Sequence, residues 1–153
     1  MKKEKMNDKG FSLVELIIVI AIMAVLVVVL APQYLKYVER SRNSTDLQNA
    51  TAIVTACQVW AADPTVASDK TFKTGTFEIT VTDSNASVTN QNPAQNKDAA
   101  EAAVADASIT LSDVKCKSKT KWTQYVITGT VNADGGITFT YSDANFANAM
   151  AGE

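Results

Sequence analysis

The chain has 153 residues, with 14 basic against 16 acidic side chains and no histidine. That length holds one modest domain, and the missing imidazole removes the commonest acid–base catalyst and metal ligand. Beyond Asn43 the charges are 7 basic against 12 acidic, and no Gly-rich phosphate loop, CxxC pair or GxSxG elbow occurs, which argues against electrostatically driven nucleic-acid binding and against the common catalytic motifs.

Residues 1–10 form a polar leader with four lysines and two acids, and such basic flanks stay cytoplasmic. From Phe11 to Ala31 the chain runs 21 residues in which only Ser12 and Glu15 are polar. A helix of that length spans about 30 Å, the thickness of a bilayer's hydrocarbon core. A carboxylate there costs about 2.5–3.5 kcal/mol on insertion scales, so it marks a functional position and calls for a cation. No Lys or Arg lies between Gly10 and Lys36. The partner therefore comes from another chain or from a newly made N-terminus. Ordinary secretory signals are cut after the apolar region, at a small residue. Here the small residue, Gly10, precedes it. Cleavage between Gly10 and Phe11 would discard the leader, keep the apolar segment, and leave an ammonium on Phe11 one helical turn from Glu15.

Gly10, Phe11 and Glu15, the apolar stretch Leu16–Leu30 and Pro32 at its end resemble the class III signal of type IV pilins and pseudopilins. The motif match covers roughly residues 9–42. Ala24 stands where many pilins carry a mid-segment glycine, which weakens any expectation of local melting between Ala24 and Pro32. The resemblance implies cleavage by a prepilin peptidase after Gly10 and methylation of the new Phe11 amine. It also implies a homo-oligomeric helical filament in which Glu15 meets the Phe11 amine of an adjoining subunit. The implied partners are the peptidase, the pilus assembly machinery, minor pilins, and the membrane before assembly. The implied location is the cytoplasmic membrane as a single-pass precursor, then a cell-surface pilus. No enzyme activity, cofactor or specific nucleic acid is expected.

The domain organisation expected is a leader at 1–10, a transmembrane and assembly helix at 11–31, its amphipathic continuation at 32–62, and a globular head at 63–153. Between Tyr34 and Ala62 there is no Gly or Pro. Leu47, Ala50, Val54, Cys57 and Ala61 recur at spacings of three and four, one apolar helical stripe. Asp46, Gln48, Asn49 and Gln58 are then expected to face water. One helix from about Phe11 to Ala62 is predicted, bent at Pro32 and ending before Asp63-Pro64.

In the head, Phe77, Ile79 and Val81 alternate with Thr76, Glu78, Thr80 and Thr82, a half-buried strand. Ser84–Asn96 reads as a polar loop, with Asn92-Pro93 as cap and first turn of a helix over Ala94–Ala107. A further strand is expected within Ile109–Lys119. Tyr125–Val131 and Ile137–Tyr141 read as a hairpin about the turn Asn132-Ala133-Asp134-Gly135-Gly136, and an irregular tail follows. The fold class is α+β: a long N-terminal helix on a small antiparallel sheet.

Lys115, Lys117, Lys119 and Lys121 fall at period two and share one face of an extended segment. They read as a solvated, anti-aggregation face or as a stripe that meets acidic neighbours, surfaces or DNA. Cys116 then points the other way, toward the helix stripe that carries Cys57. The two form a candidate disulfide closing a loop of about 60 residues; two buried free thiols are the alternative. Asp134 and Asp143 are isolated, without a calcium-type loop. The three Asn-x-Ser/Thr matches at Asn43, Asn49 and Asn85 are what a Thr- and Asn-rich chain produces by chance.

The functional reading is a structural subunit of a type IV pilus, used in adhesion, motility or DNA uptake. The alternative is a pseudopilin of a type II secretion or competence system. A membrane-anchored enzyme is disfavoured by the lack of any catalytic constellation.

Overall fold

A computed structural model of the chain describes residues 11–152. The leader and Gly10 lie outside the described residues. The elements are α1 (Leu13–Ala62), β1 (Gly75–Val81), β2 (Ala86–Asn92), α2 (Gln95–Asp106), a 3-10 turn (Leu111–Asp113), β3 (Tyr125–Val131), β4 (Ile137–Tyr141) and α3 (Ala144–Ala151). The fold is α+β, as the sequence implies. The chain divides into two compact units between Val38 and Glu39, taken in turn below.

The first unit is the apolar part of α1. Helical structure is continuous through Pro32, whose missing N–H leaves the carbonyl four residues earlier without its helical donor. From Leu13 to Leu30 the large apolar side chains are 41–74% exposed. A helix apolar on every side and uncovered is one whose solvent is lipid or other helices.

The second unit is a four-stranded antiparallel sheet in the order β2-β1-β3-β4. Phe77, Ile79 and Val81 of β1 and Tyr125, Ile127 and Val131 of β3 point into one core. Ala50, Ile53, Ala56 and Cys57 of α1, Ala100, Ala103 and Val104 of α2, and Phe146 of α3 complete it. Each large apolar side chain so buried contributes about 1.5–3 kcal/mol. Phe77 stands opposite Gly129 in the β1–β3 register, and a Cβ at Gly129 would collide with the Phe77 ring. The Asn132–Gly136 turn closes the expected hairpin, Asn132 N donating to Gly136 O at 2.8 Å. Gly135 there has φ +86°, where glycine carries no Cβ penalty.

Five local expectations are corrected. Asp46 does not face water; it is fully buried, and the buried face of α1 runs Asp46, Ala50, Ile53, Ala56, Cys57. Much of the expected loop 84–96 is β2, an edge strand that needs only Ala86 and Val88 inside while its polar residues face out. Asn92 caps no helix: it ends β2 opposite Thr76, and α2 starts without a side-chain cap. Its first residues bind the preceding loop instead. Gln95 Nε2 donates to the carbonyls of Ser68 and Thr71, both at 2.9 Å, and Asn96 exchanges bonds of 2.8 and 2.9 Å with the backbone of Lys73.

No strand forms within Ile109–Lys119. After the 3-10 turn the segment is extended, with Cys116 N bonded to Thr82 O at 2.7 Å, but side-chain carboxylates of α1 take the next backbone N–H groups that a ladder would use. The tail, finally, is helical. Asp143 caps α3 by accepting from Phe146 N at 2.9 Å, and Gly152 ends it in the left-handed region. Phe146 stacks on Tyr125 at 4.1 Å and meets Trp122 edge-on at 5.0 Å, so burial of one ring holds the helix.

Candidate processing and assembly site

The N-terminal site is built on the first turn of α1. The helix begins at Leu13, so Ser12 is its N-cap and Glu15 its third residue. Glu15 Oε2 accepts from Ser12 N at 2.9 Å, and Leu16 N donates to Ser12 O at 3.2 Å. This is the carboxylate half of a capping box, and a negative charge at a helix start also complements the macrodipole. The Ser12-Leu13-Val14-Glu15 spacing carries that signal in the sequence. The geometry places the one carboxylate of the apolar segment at its start, on the backbone next to Phe11. Phe11 itself is 87% exposed. Gly10 lies outside the described residues.

A second polar cluster lies in the second unit and was not foreseen. Glu39 and Asp46 are seven residues apart, two turns along one face of α1. Asp46 Oδ1 accepts from Lys117 N at 2.7 Å; its Oδ2 accepts from Ser118 N at 2.9 Å and from Trp122 Nε1 at 2.8 Å. Glu39 Oε1 accepts from Lys119 N at 2.7 Å, Thr120 N at 2.9 Å, Ser118 Oγ at 2.9 Å and Thr120 Oγ1 at 3.0 Å. Two carboxylates thus hold four successive backbone N–H groups. Burial pushes the Glu39 carboxyl up, but the Lys119 and Thr120 N–H groups and the Ser118 and Thr120 hydroxyls outweigh it and bring it down to about 2. The sequence signal was faint: two acids at i and i+7, of which Asp46 was read as solvent-facing and Glu39 was not singled out.

Cys57 and Cys116 are both buried in the core, and both thiols are free. This arrangement is that of the second alternative, two buried free thiols. Cys116 Sγ instead donates to Asp46 Oδ2 at 3.5 Å. Burial pushes Cys57 up to about 12; burial, then the Asp46 charge and hydrogen bond, push Cys116 up to about 12. Thiols held so far from ionisation are poor nucleophiles. Among the described residues no group of three or more His, Cys, Asp and Glu stands together as metal ligands.

Residues 5–31 match the family model of the prokaryotic N-terminal methylation motif. The chain is also similar to prepilin peptidase-dependent protein A of Clostridium perfringens (strain 13 / Type A), at 34% identity over 85 residues. That alignment covers 55% of this chain, and the chain spans 56% of the length of the relative. No solved structure matches. The N-terminal segment is thus a class III signal, and the two likenesses support a pilin- or pseudopilin-type protein.

Proposed function

We propose that this chain, bearing a class III signal, is the structural subunit of a type IV pilus, cut between Gly10 and Phe11 and polymerised through its apolar helix. One observation carries the reading: Glu15 is the single charge in an uncovered apolar segment and sits at its start, 2.9 Å from Ser12 N, beside the amine that cleavage would create. The name of the Clostridium relative supports a prepilin peptidase as the processing partner.

In the membrane, lipid covers Leu13–Ala31, and the Ser12 N–H satisfies the Glu15 carboxylate. In the filament, neighbouring helices replace the lipid and the Phe11 ammonium of an adjoining subunit reaches Glu15. The Coulomb gain in so apolar a place is large, but desolvation offsets much of it. The pair acts mainly on register, because a slipped subunit would bury an unpaired charge. Head-to-tail contacts of this kind do not close, so they propagate as a helix. Pro32 supplies a bend that lets the helix leave the filament core. Assembly machinery and minor pilins are the further partners, and the cell surface is the destination.

The test is isolation of surface filaments from the native host, followed by intact-mass analysis. The reading expects long filaments whose subunit begins at a methylated Phe11. A subunit that keeps Met1 would contradict the processing step. Correct processing without long filaments, in a strain that secretes through a short assembly, would favour a pseudopilin.

A further inference from the structure

β4 is one edge of the sheet, and among the described residues no strand pairs with its outer side. The ladder to β3 fixes which of its backbone groups are left over. Asn132 N bonds to Gly136 O at 2.8 Å and Ser142 N to Val126 O at 3.2 Å. Bonded pairs alternate along an antiparallel ladder, so in the Thr130–Thr138 and Thr128–Thr140 register the backbones of Thr138 and Thr140 are turned to β3. The N–H and C=O groups of Ile137, Phe139 and Tyr141 are turned outward. Sheet edges are ordinarily blunted by charge, proline, a bulge or a covering element. The opposite edge is blunted: β2 shifts register against β1 between Phe77 and Ile79, and α2 and the 3-10 turn pack on it. β4 has no charge, proline or bulge. It reads Ile-Thr-Phe-Thr-Tyr in unbroken register, and no charged residue lies between Asp134 and Asp143. Thr138 and Thr140 are exposed, and Ile137, Phe139 and Tyr141 are only half-buried against the core. Tyr141 meets α3 through the core ring of Phe146.

We propose that the free edge of β4 pairs with β4 of a second copy of this chain on a neighbouring filament, antiparallel and centred on Phe139. The inference rests on the filament reading above. The edge is its own complement. Centred on Phe139, and only there, all five residues pair: Ile137 with Tyr141, Thr138 with Thr140, and Phe139 with its own counterpart. Each outward N–H then meets an outward carbonyl. The half-covered row of Ile137, Phe139 and Tyr141 in one copy extends the same row in the other, and threonine faces threonine on the outer side. The head carries 7 basic against 12 acidic residues beyond Asn43, and this uncharged edge lets two such heads meet without like charges directly opposed. Five residues a side are far fewer than the roughly 20–30 of a stable free dimer. The contact therefore needs partners held at high effective concentration. Arrayed copies of this chain meet that condition, and a free peptide does not. A two-fold contact closes on itself, whereas the subunits of one filament are related by a screw. The pairing therefore joins two filaments side by side.

The experiment uses intact filaments from two strains, one carrying Thr138→Cys and the other Thr140→Cys. These positions directly oppose each other across the proposed pair, at the roughly 4.5 Å Cα separation of a non-hydrogen-bonded pair, which a disulfide spans. The two filaments mixed under mild oxidant should yield a dimer whose linked peptide joins positions 138 and 140, by non-reducing gel and mass spectrometry. Either filament alone should yield none. The double variant Thr138→Lys/Thr140→Lys alters two exposed side chains and sets lysine opposite lysine. It should leave filament number and circular dichroism unchanged and abolish lateral association in sedimentation. Filaments that form normally but give no cross-link in the mixture overturn this inference alone, as does a lysine variant that still associates. Cross-linking only when both cysteine subunits share one filament would place the contact inside a filament and also overturn it. Absence of filaments from wild-type cells defeats the filament reading itself.

Discussion

The indole N–H of Trp122 donates to Oδ2 of Asp46 at 2.8 Å, joining residues 76 positions apart inside the head. Asp46 is fully buried, and the same carboxylate also takes the N–H groups of Lys117 and Ser118. Asp46→Ala leaves these three donors without their acceptor. Losing one partner of a buried charged network costs about 3–5 kcal/mol. Asp46→Asn keeps one acceptor oxygen and should cost less. Urea unfolding of the processed chain, followed by tryptophan fluorescence, gives the ranking. An Asp46→Ala protein within about 1 kcal/mol of wild type would show that the segment is held by other contacts.

Glu39 makes a pH prediction with a definite sign. Its folded value of about 2 lies below the ordinary 4.5, so between those values the unfolded chain binds the proton more readily. Its contribution to stability is complete above about pH 4.5 and fades as the pH falls toward 2. Glu39→Gln should lower stability at neutral pH and flatten this part of the acid limb. Parallel wild-type and mutant curves between pH 5 and 2, on the order of the window just given, would remove Glu39 as the cause.

The thiols give a third expectation. With Cys57 and Cys116 free and both pushed up to about 12, neither should react with an alkylating reagent in the folded head. Both should react after unfolding without reductant, and reductant should leave the melting temperature unchanged. A peptide joining Cys57 to Cys116 in non-reducing mass spectrometry would contradict this.

Much of the fold was legible in the sequence where one physical rule dominated. The alternation of Phe77, Ile79 and Val81 and the Asn132–Gly136 turn each specify a strand or hairpin by local pattern alone, and both form. The apolar run from Phe11 specifies a lipid- or helix-facing segment by length. What was not legible depends on partners distant in the chain. Asp46 reads as a solvent-facing acid until Trp122 and the Lys117–Ser118 backbone are folded against it. β2 reads as a loop because an edge strand needs only Ala86 and Val88 inside. Asp143 reads as isolated until Phe146 finds Tyr125. At the N-terminal site the cap between Glu15 and Ser12 was present in the Ser-x-x-Glu spacing but was not read from it.

The central claim is that Glu15 acts through its charge on a neighbouring Phe11 ammonium, beyond its hydrogen bond to Ser12 N. Glutamine can still accept that hydrogen bond but carries no charge, and alanine offers neither. The most direct measurement is the number of surface filaments per cell, by electron microscopy, for wild type, Glu15→Gln and Glu15→Ala, with membrane levels of processed subunit matched by immunoblot. The account predicts that both variants are inserted and folded and that both make few or no filaments. Wild-type numbers of filaments built from Glu15→Gln subunits would contradict it, leaving Glu15 as a helix cap alone.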